Sequence, residues 1–173
     1  MNQKQISHLL IAAGVIAALG ILAGAALYAP ELAQESLLIL SPANADPAQA
    51  DEIAHRLEWL YWTGLSGVWG AALIFYLALF EYFRVSVRIG QDRSFCPENV
   101  KSLRHIAICL AADAALWLIA IFVPGIFGFP VGPAFLVFLL ISMANAALSL
   151  LAWCLGRLLN RAVTIQQEND LTV

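Results

Sequence analysis

The chain has 173 residues, 61% of them hydrophobic and 12% charged, with a formal net charge of −3 at pH 7. Soluble domains carry roughly 45–50% apolar and about 25% charged residues, and a water-exposed surface this apolar aggregates. The composition therefore excludes an ordinary soluble domain and makes a bilayer the missing partner. Cys96, Cys109 and Cys154 are odd in number and form no C-x-x-C pair. That excludes a dithiol-exchange enzyme, and all three read as small apolar fillers.

A helix needs about 20 apolar residues to cross the hydrocarbon core, and four stretches qualify. The first covers residues 6–29 and is uncharged after Lys4. Its apolar run exceeds the roughly 7–15 residues of a signal peptide, so an uncleaved helix is expected. Within it Gly20 and Gly24 form a G-x-x-x-G pair with Gly14 nearby. Small residues at this spacing let backbones approach closely, either inside the chain or in a homo-oligomer. Residues 30–60 form the first loop. In it "SPANADPAQA" is a Pro/Ala linker and "AQADEIAHRLEWLYW" is a short helix predicted to continue into the second span, 61–83. Trp59, Tyr61 and Trp62 mark one membrane interface of that span, and Tyr82 and Phe83 the other. Ser66 and Gly70 form a second small-xxx-small pair.

Residues 84–103 form a basic loop, followed by the third span at 104–123. The uncharged "PGIFGFPVG" is a tight turn, making the third span and the fourth, 133–156, antiparallel neighbours. A polar tail occupies 157–173. The first loop holds one basic residue, Arg56, against Glu31, Glu35, Asp46, Asp51, Glu52 and Glu58. Arg84, Arg88, Arg93 and Lys101 lie in the second loop, with Arg104 at its border with the third span, and Lys4, Arg157 and Arg161 fall on the same side. Because basic residues collect on the cytoplasmic side, the expected fold is an all-α, integral membrane four-helix bundle with both termini cytoplasmic. No internal repeat is visible, which gives an inverted-repeat transporter no support.

Asp113 lies near the middle of the third span, where a carboxylate is costly and commonly functional. Asn145, at similar depth in the fourth span, is its candidate partner. Ser142, Asn145 and Ser149 recur at i, i+3 and i+7 and so share one helix face. The intramembrane pair Asp113 and Asn145 has two readings: interhelical glue, or a proton- or ion-linked site. His105, Cys109 and Asp113 also share a face, but no second cluster completes a metal site. No phosphate loop, nucleophile elbow, zincin helix or dinucleotide fingerprint occurs. A non-enzymatic protein without metal or cofactor is expected. Topology accounts for the basic loop without nucleic acid.

The segment "DRSFCPENVKSLRHIA", residues 92–107, interrupts the apolar pattern. Pro97 suits a first helical position, which makes Cys96 the N-cap and places Glu98 beside the positive helix end. Phe95 and Val100 have the spacing of a hydrophobic staple. Lys101 and Arg104 are placed for lipid phosphates or a partner's acids. Arg157 and Arg161 stand one turn apart where the fourth span ends, and the closing "LTV" is apolar enough to be docked rather than free.

With the terminal "QQENDLTV", this segment resembles a bacterial membrane protein family known as domain of unknown function 2975. Its marks are an F-[S/T]-x-E-N-x-x-x-L-R-x-I-A loop and an E-x-D-L-T-[V/I] ending. Phe95, Glu98, Asn99, Leu103, Arg104, Ile106, Ala107, Glu168, Asp170, Leu171 and Thr172 occupy those positions, and the similarity in length and layout extends over the whole chain. Cys96 stands where Ser or Thr is usual, so side-chain capping is expected to be weaker. The resemblance implies a bacterial inner-membrane location and a small helix-turn-helix regulator as partner. The leading expectation is thus a membrane protein with a cytoplasmic protein-interaction surface. The alternatives are an accessory subunit of a larger membrane complex, docking through the Gly20–Gly24 face and the outer aromatics, and a small transporter or ion sensor centred on Asp113. Membrane lipids are expected partners in every case. The 92–107 segment and the tail are expected to meet in space.

Overall fold

The computed structural model describes residues 3–24, 26, 47–126 and 134–170. Every regular element among them is helical: α1 (Gln3–Ala23), α2 (Pro47–Gly90), α3 (Pro97–Ala120), the short α4 (Val123–Ile126) and α5 (Ala134–Asp170). α1, α2, α3 and α5 are long and apolar enough to cross a membrane. The first six residues of the "SPANADPAQA" linker, most of the third turn and the final "LTV" lie outside the described residues, while the linker's last four, 47–50, are helical and begin α2. At about 1.5 Å per residue, the 44 residues of α2 and the 37 of α5 exceed what a bilayer core of about 30 Å requires. The extra length is the expected helix before the second span and the helical part of the tail. Within the segment between the second and third spans α3 begins at Pro97, as its helix-start pattern predicts, and α2 runs on to Gly90, so the turn itself is residues 91–96.

That short turn is closely held. Asp92 N–H donates to the Ile89 carbonyl (3.2 Å) and Arg93 N–H to the Arg88 carbonyl (3.0 Å). This is the Schellman pattern, with Asp92 in the left-handed position at φ 58°. The N-cap of α3 is Cys96, extended at φ −126°, ψ 147°, with no side-chain capping bond. A thiol is a weak acceptor, and Asn99 supplies the missing restraint. Its amide donates to the carbonyls of Arg93 (3.2 Å) and Ser94 (3.0 Å), while its Oδ1 accepts from Arg88 (3.3 Å). Asn99 is 1% exposed. The expected staple does not bury Phe95, which remains 62% exposed.

The long helices pack as an open row, α1–α2–α3–α5, each against its chain neighbour. Among the described residues α1 touches neither α3 nor α5, and α2 does not touch α5. The burial pattern is inside-out. Ser7, Ser86, Ser102, Asp113, Ser142 and Asn145 are buried, together with Ala71, Ala78, Ala107, Ala114 and Ala152. Leu73, Leu140 and Leu150 are more than 60% exposed. Lipid offers leucine what a protein core would, so helix contacts select small and polar groups instead. Tyr76 OH donates to Ala18 O (2.6 Å), Tyr82 OH to Leu10 O (3.0 Å) and Ser7 Oγ to Ser86 O (2.8 Å), which joins α1 antiparallel to α2.

The close approach within the chain falls at Gly14 rather than at Gly20 or Gly24. A Cβ at Gly14 would sit 2.8 Å from the Phe83 ring, whereas one at Gly20 or Gly24 would meet nothing within 4 Å among the described residues. Gly14→Val should therefore destabilise the α1–α2 pair by about 1–3 kcal/mol, and Gly20→Val should stay within roughly 0.5 kcal/mol. Thermal melting of the two variants in one detergent checks the contrast, and equal melting would contradict it.

Candidate functional site

The third and fourth spans meet along a polar ladder. Asn145 Nδ2 donates to Asp113 Oδ2 at 2.6 Å, one turn from Ser142 Oγ donating to Ala114 O at 2.8 Å. Ser149 Oγ donates to Ala107 O at 2.7 Å. The stripe at i, i+3 and i+7 on α5 thus faces α3 in full, and the geometry brings the expected pair together. Toward the uncharged turn the seam closes with Trp117 and Phe138, their ring centroids 5.2 Å apart. Toward the charged end it closes where a Cβ at Gly156 would lie 3.5 Å from Leu103 Cβ. Asp113 is 3% exposed, and its Oδ1 is buried with no well-formed hydrogen bond among the described residues. Trp117, one turn on, is the neighbouring polar side chain. No group of three or more potential metal ligands occurs among the described residues.

A second polar network ties α2 to the start of α3. Arg88 donates to Ser102 Oγ (3.0 Å) as well as to Asn99. Glu81 Oε1 accepts from Arg84 (3.2 Å) and lies 3.7 Å from His105 Nδ1. His105 therefore belongs to this α2–α3 contact. Glu98 is fully exposed in the first turn of α3, ahead of the apolar span. The backbone N–H at the helix start, helped by Cys96, Arg93 and Arg88, holds its carboxyl below the usual range.

Where α3 begins and α5 leaves the apolar region, an open groove of about 780 Å³ lies between them. Arg104, Arg157, Arg161, Trp153 and Glu168 line it. Arg104 and Arg157 lie over the Trp153 indole at 5.9 and 5.8 Å. The two motif segments thus share a surface as far as Glu168. The Asp170 side chain, Leu171 and Thr172 lie outside the described residues, so the docking of the last residues does too. Trp153, Ser102 and Arg88 escaped the sequence reading. Trp153 and Arg157 at i, i+4 carried a signal for the first, but Ser102 and Arg88 meet only once the 91–96 turn folds.

A family profile described as "Protein of unknown function (DUF2975)" matches residues 47–173. The chain belongs to that family. The match takes in α2 to α5 and leaves α1 outside, so the family likeness covers less than the whole chain. The "Uncharacterized membrane protein YoaS" of Bacillus subtilis (strain 168) is 31% identical over 112 residues, 59% of this chain. The matched region spans 65% of that relative's length. No solved structure matches. The four long apolar helices, their inside-out burial and this relative together make the chain a multi-pass membrane protein.

The ladder separates two roles for Asp113. Asp113→Ala leaves the buried Asn145 amide unpartnered and should cost about 1–3 kcal/mol, whereas Asp113→Leu with Asn145→Leu removes both partners and should cost much less than the two single changes summed. A double-mutant cycle by thermal unfolding in detergent measures this, and additive losses would show that the two side chains do not interact.

Proposed function

We propose that this family member is a non-enzymatic inner-membrane protein with both termini in the cytoplasm. It presents a preformed surface, the turn between α2 and α3, to a cytosolic protein partner. The observation that carries this reading is Phe95, 62% exposed on a turn clamped by a buried Asn99. Among the loop's signature residues, Asn99 and Ala107 are buried, the latter as part of the α3–α5 seam. Phe95 and Glu98 are exposed. An exposed aromatic on a rigid frame, flanked by charge, has the character of an interface anchor, because little entropy is lost when it is covered. The basic residues on this side support its placement in the cytoplasm.

The partner suggested by the family resemblance is a small helix-turn-helix regulator. The open row of helices also suits an accessory subunit of a membrane complex, since among the described residues α1 and α5 each pack against one neighbouring long helix. The buried, unsatisfied Asp113 Oδ1 favours a second reading, an ion- or proton-linked role. Affinity purification from gently solubilised membranes of the native host tests the leading proposal. Wild-type protein should retain a cytosolic regulator that Phe95→Ser, folded and inserted, loses by about tenfold or more, as for an anchor contributing about 1.4 kcal/mol or more. Equal recovery with both proteins, or recovery of membrane subunits alone, would overturn it.

A further inference from the structure

We infer that the groove between the start of α3 and the end of α5 binds the phosphate of an anionic phospholipid headgroup. Three arginines from two helices line it, Arg104 from α3 and Arg157 and Arg161 from α5, and the guanidinium groups of Arg104 and Arg157 both lie over the Trp153 indole. Arginine's planar fork matches phosphate oxygens two at a time and is weakly hydrated, so it suits this ligand better than lysine does. None of the three forms an ion pair among the described residues; the pairs there are Arg56–Glu52, Arg84–Glu81 and His105–Glu81. Among the described residues Glu168 is the one carboxylate lining the groove, beside three arginines.

The groove is built rather than merely charged. The Trp153 indole, 40% exposed, underlies both Arg104 and Arg157, which restricts the two guanidinium groups and leaves their N–H edges available. Its depth fits a headgroup. Arg104 opens the third apolar stretch and Arg157 follows the last residue of the fourth, so the arginines lie where hydrocarbon gives way to phosphate. Val100 and Ile165 add apolar wall on the same groove. Basic pockets between membrane helices commonly hold acidic lipid in this way. The inference does not depend on the Phe95 partner reading, because neither the arginines nor Trp153 contribute to the turn.

The test uses the full chain in detergent, offered phosphatidylglycerol and phosphatidylcholine in equal amounts, with retained lipid measured by native mass spectrometry. Wild-type protein should keep phosphatidylglycerol selectively. A groove variant, Arg104→Gln with Arg157→Gln and Arg161→Gln, should lose that retention by about tenfold or more. A control variant removing as much charge elsewhere, Lys4→Gln with Arg84→Gln and Arg93→Gln, should keep it. Circular dichroism establishes that both variants are folded. Arg104→Lys with Arg157→Lys and Arg161→Lys keeps the charge and should recover only part of the binding. Equal loss in the two neutralising variants, unchanged retention in the groove variant, or displacement of the lipid by millimolar inorganic phosphate would each overturn the inference. So would capture of an acidic protein segment in the groove in place of lipid.

Discussion

Asp113 sits between α3 and α5 with almost none of its surface exposed, and a carboxyl group in that position must find a partner or exact a large desolvation cost. Asn145 is the partner, at 2.6 Å. Sliding α5 by one turn would separate them and would also pull Ser142 from Ala114 O and Ser149 from Ala107 O. The ladder therefore fixes the register of the two helices, which apolar contacts in lipid specify only weakly. What lies further along the seam inherits that register. It sets Gly156 against Leu103 and carries Trp153, Arg157 and Arg161 to Arg104. A buried pair near the middle of the spans thus places a charged groove at their end.

The same logic runs through the other seams in different chemistry. α1 is joined to α2 by hydroxyl groups donating to backbone carbonyls and by Gly14 lying under the Phe83 ring. α2 is joined to α3 by the Arg88, Asn99 and Ser102 network at one end. Such bonds suit lipid, where no water competes for the donors. The result is a row of helices whose apolar flanks face the bilayer and whose specific chemistry gathers at the ends of α2, α3 and α5. Partner binding at the turn and lipid binding in the groove would use neighbouring but separate parts of that end.

The spans, the polar stripe and the Asp113–Asn145 pair were legible in the sequence. Hydrophobic length and helical spacing are local properties, and two polar groups at equal depth have few other partners. Asn99 was not legible, because its bonds to Arg93 and Ser94 exist only once the turn has closed. A small-xxx-small pair such as Gly20 and Gly24 shows that a backbone can come close, but not which helix comes; among the described residues the α1–α2 approach falls at Gly14, which leaves the Gly20–Gly24 face open. The staple at Phe95 had the correct spacing, yet spacing does not establish that a ring is covered. The similarity in length and layout extends over the whole chain, whereas the first span carries none of the quoted motifs and lies outside the family match.

The most direct test of this account is the register of α3 against α5 in native membranes. With Cys96, Cys109 and Cys154 replaced by alanine, Leu103→Cys can be paired with Gly156→Cys, whose Cβ positions lie 3.5 Å apart, within the roughly 3.5–4.5 Å of a disulfide. Mild oxidation should cross-link that pair readily and leave Leu103→Cys with Asn160→Cys, one turn further along, largely reduced. Preferential cross-linking of the displaced pair would show that the Asp113–Asn145 contact does not set the register and that the groove is not assembled as described.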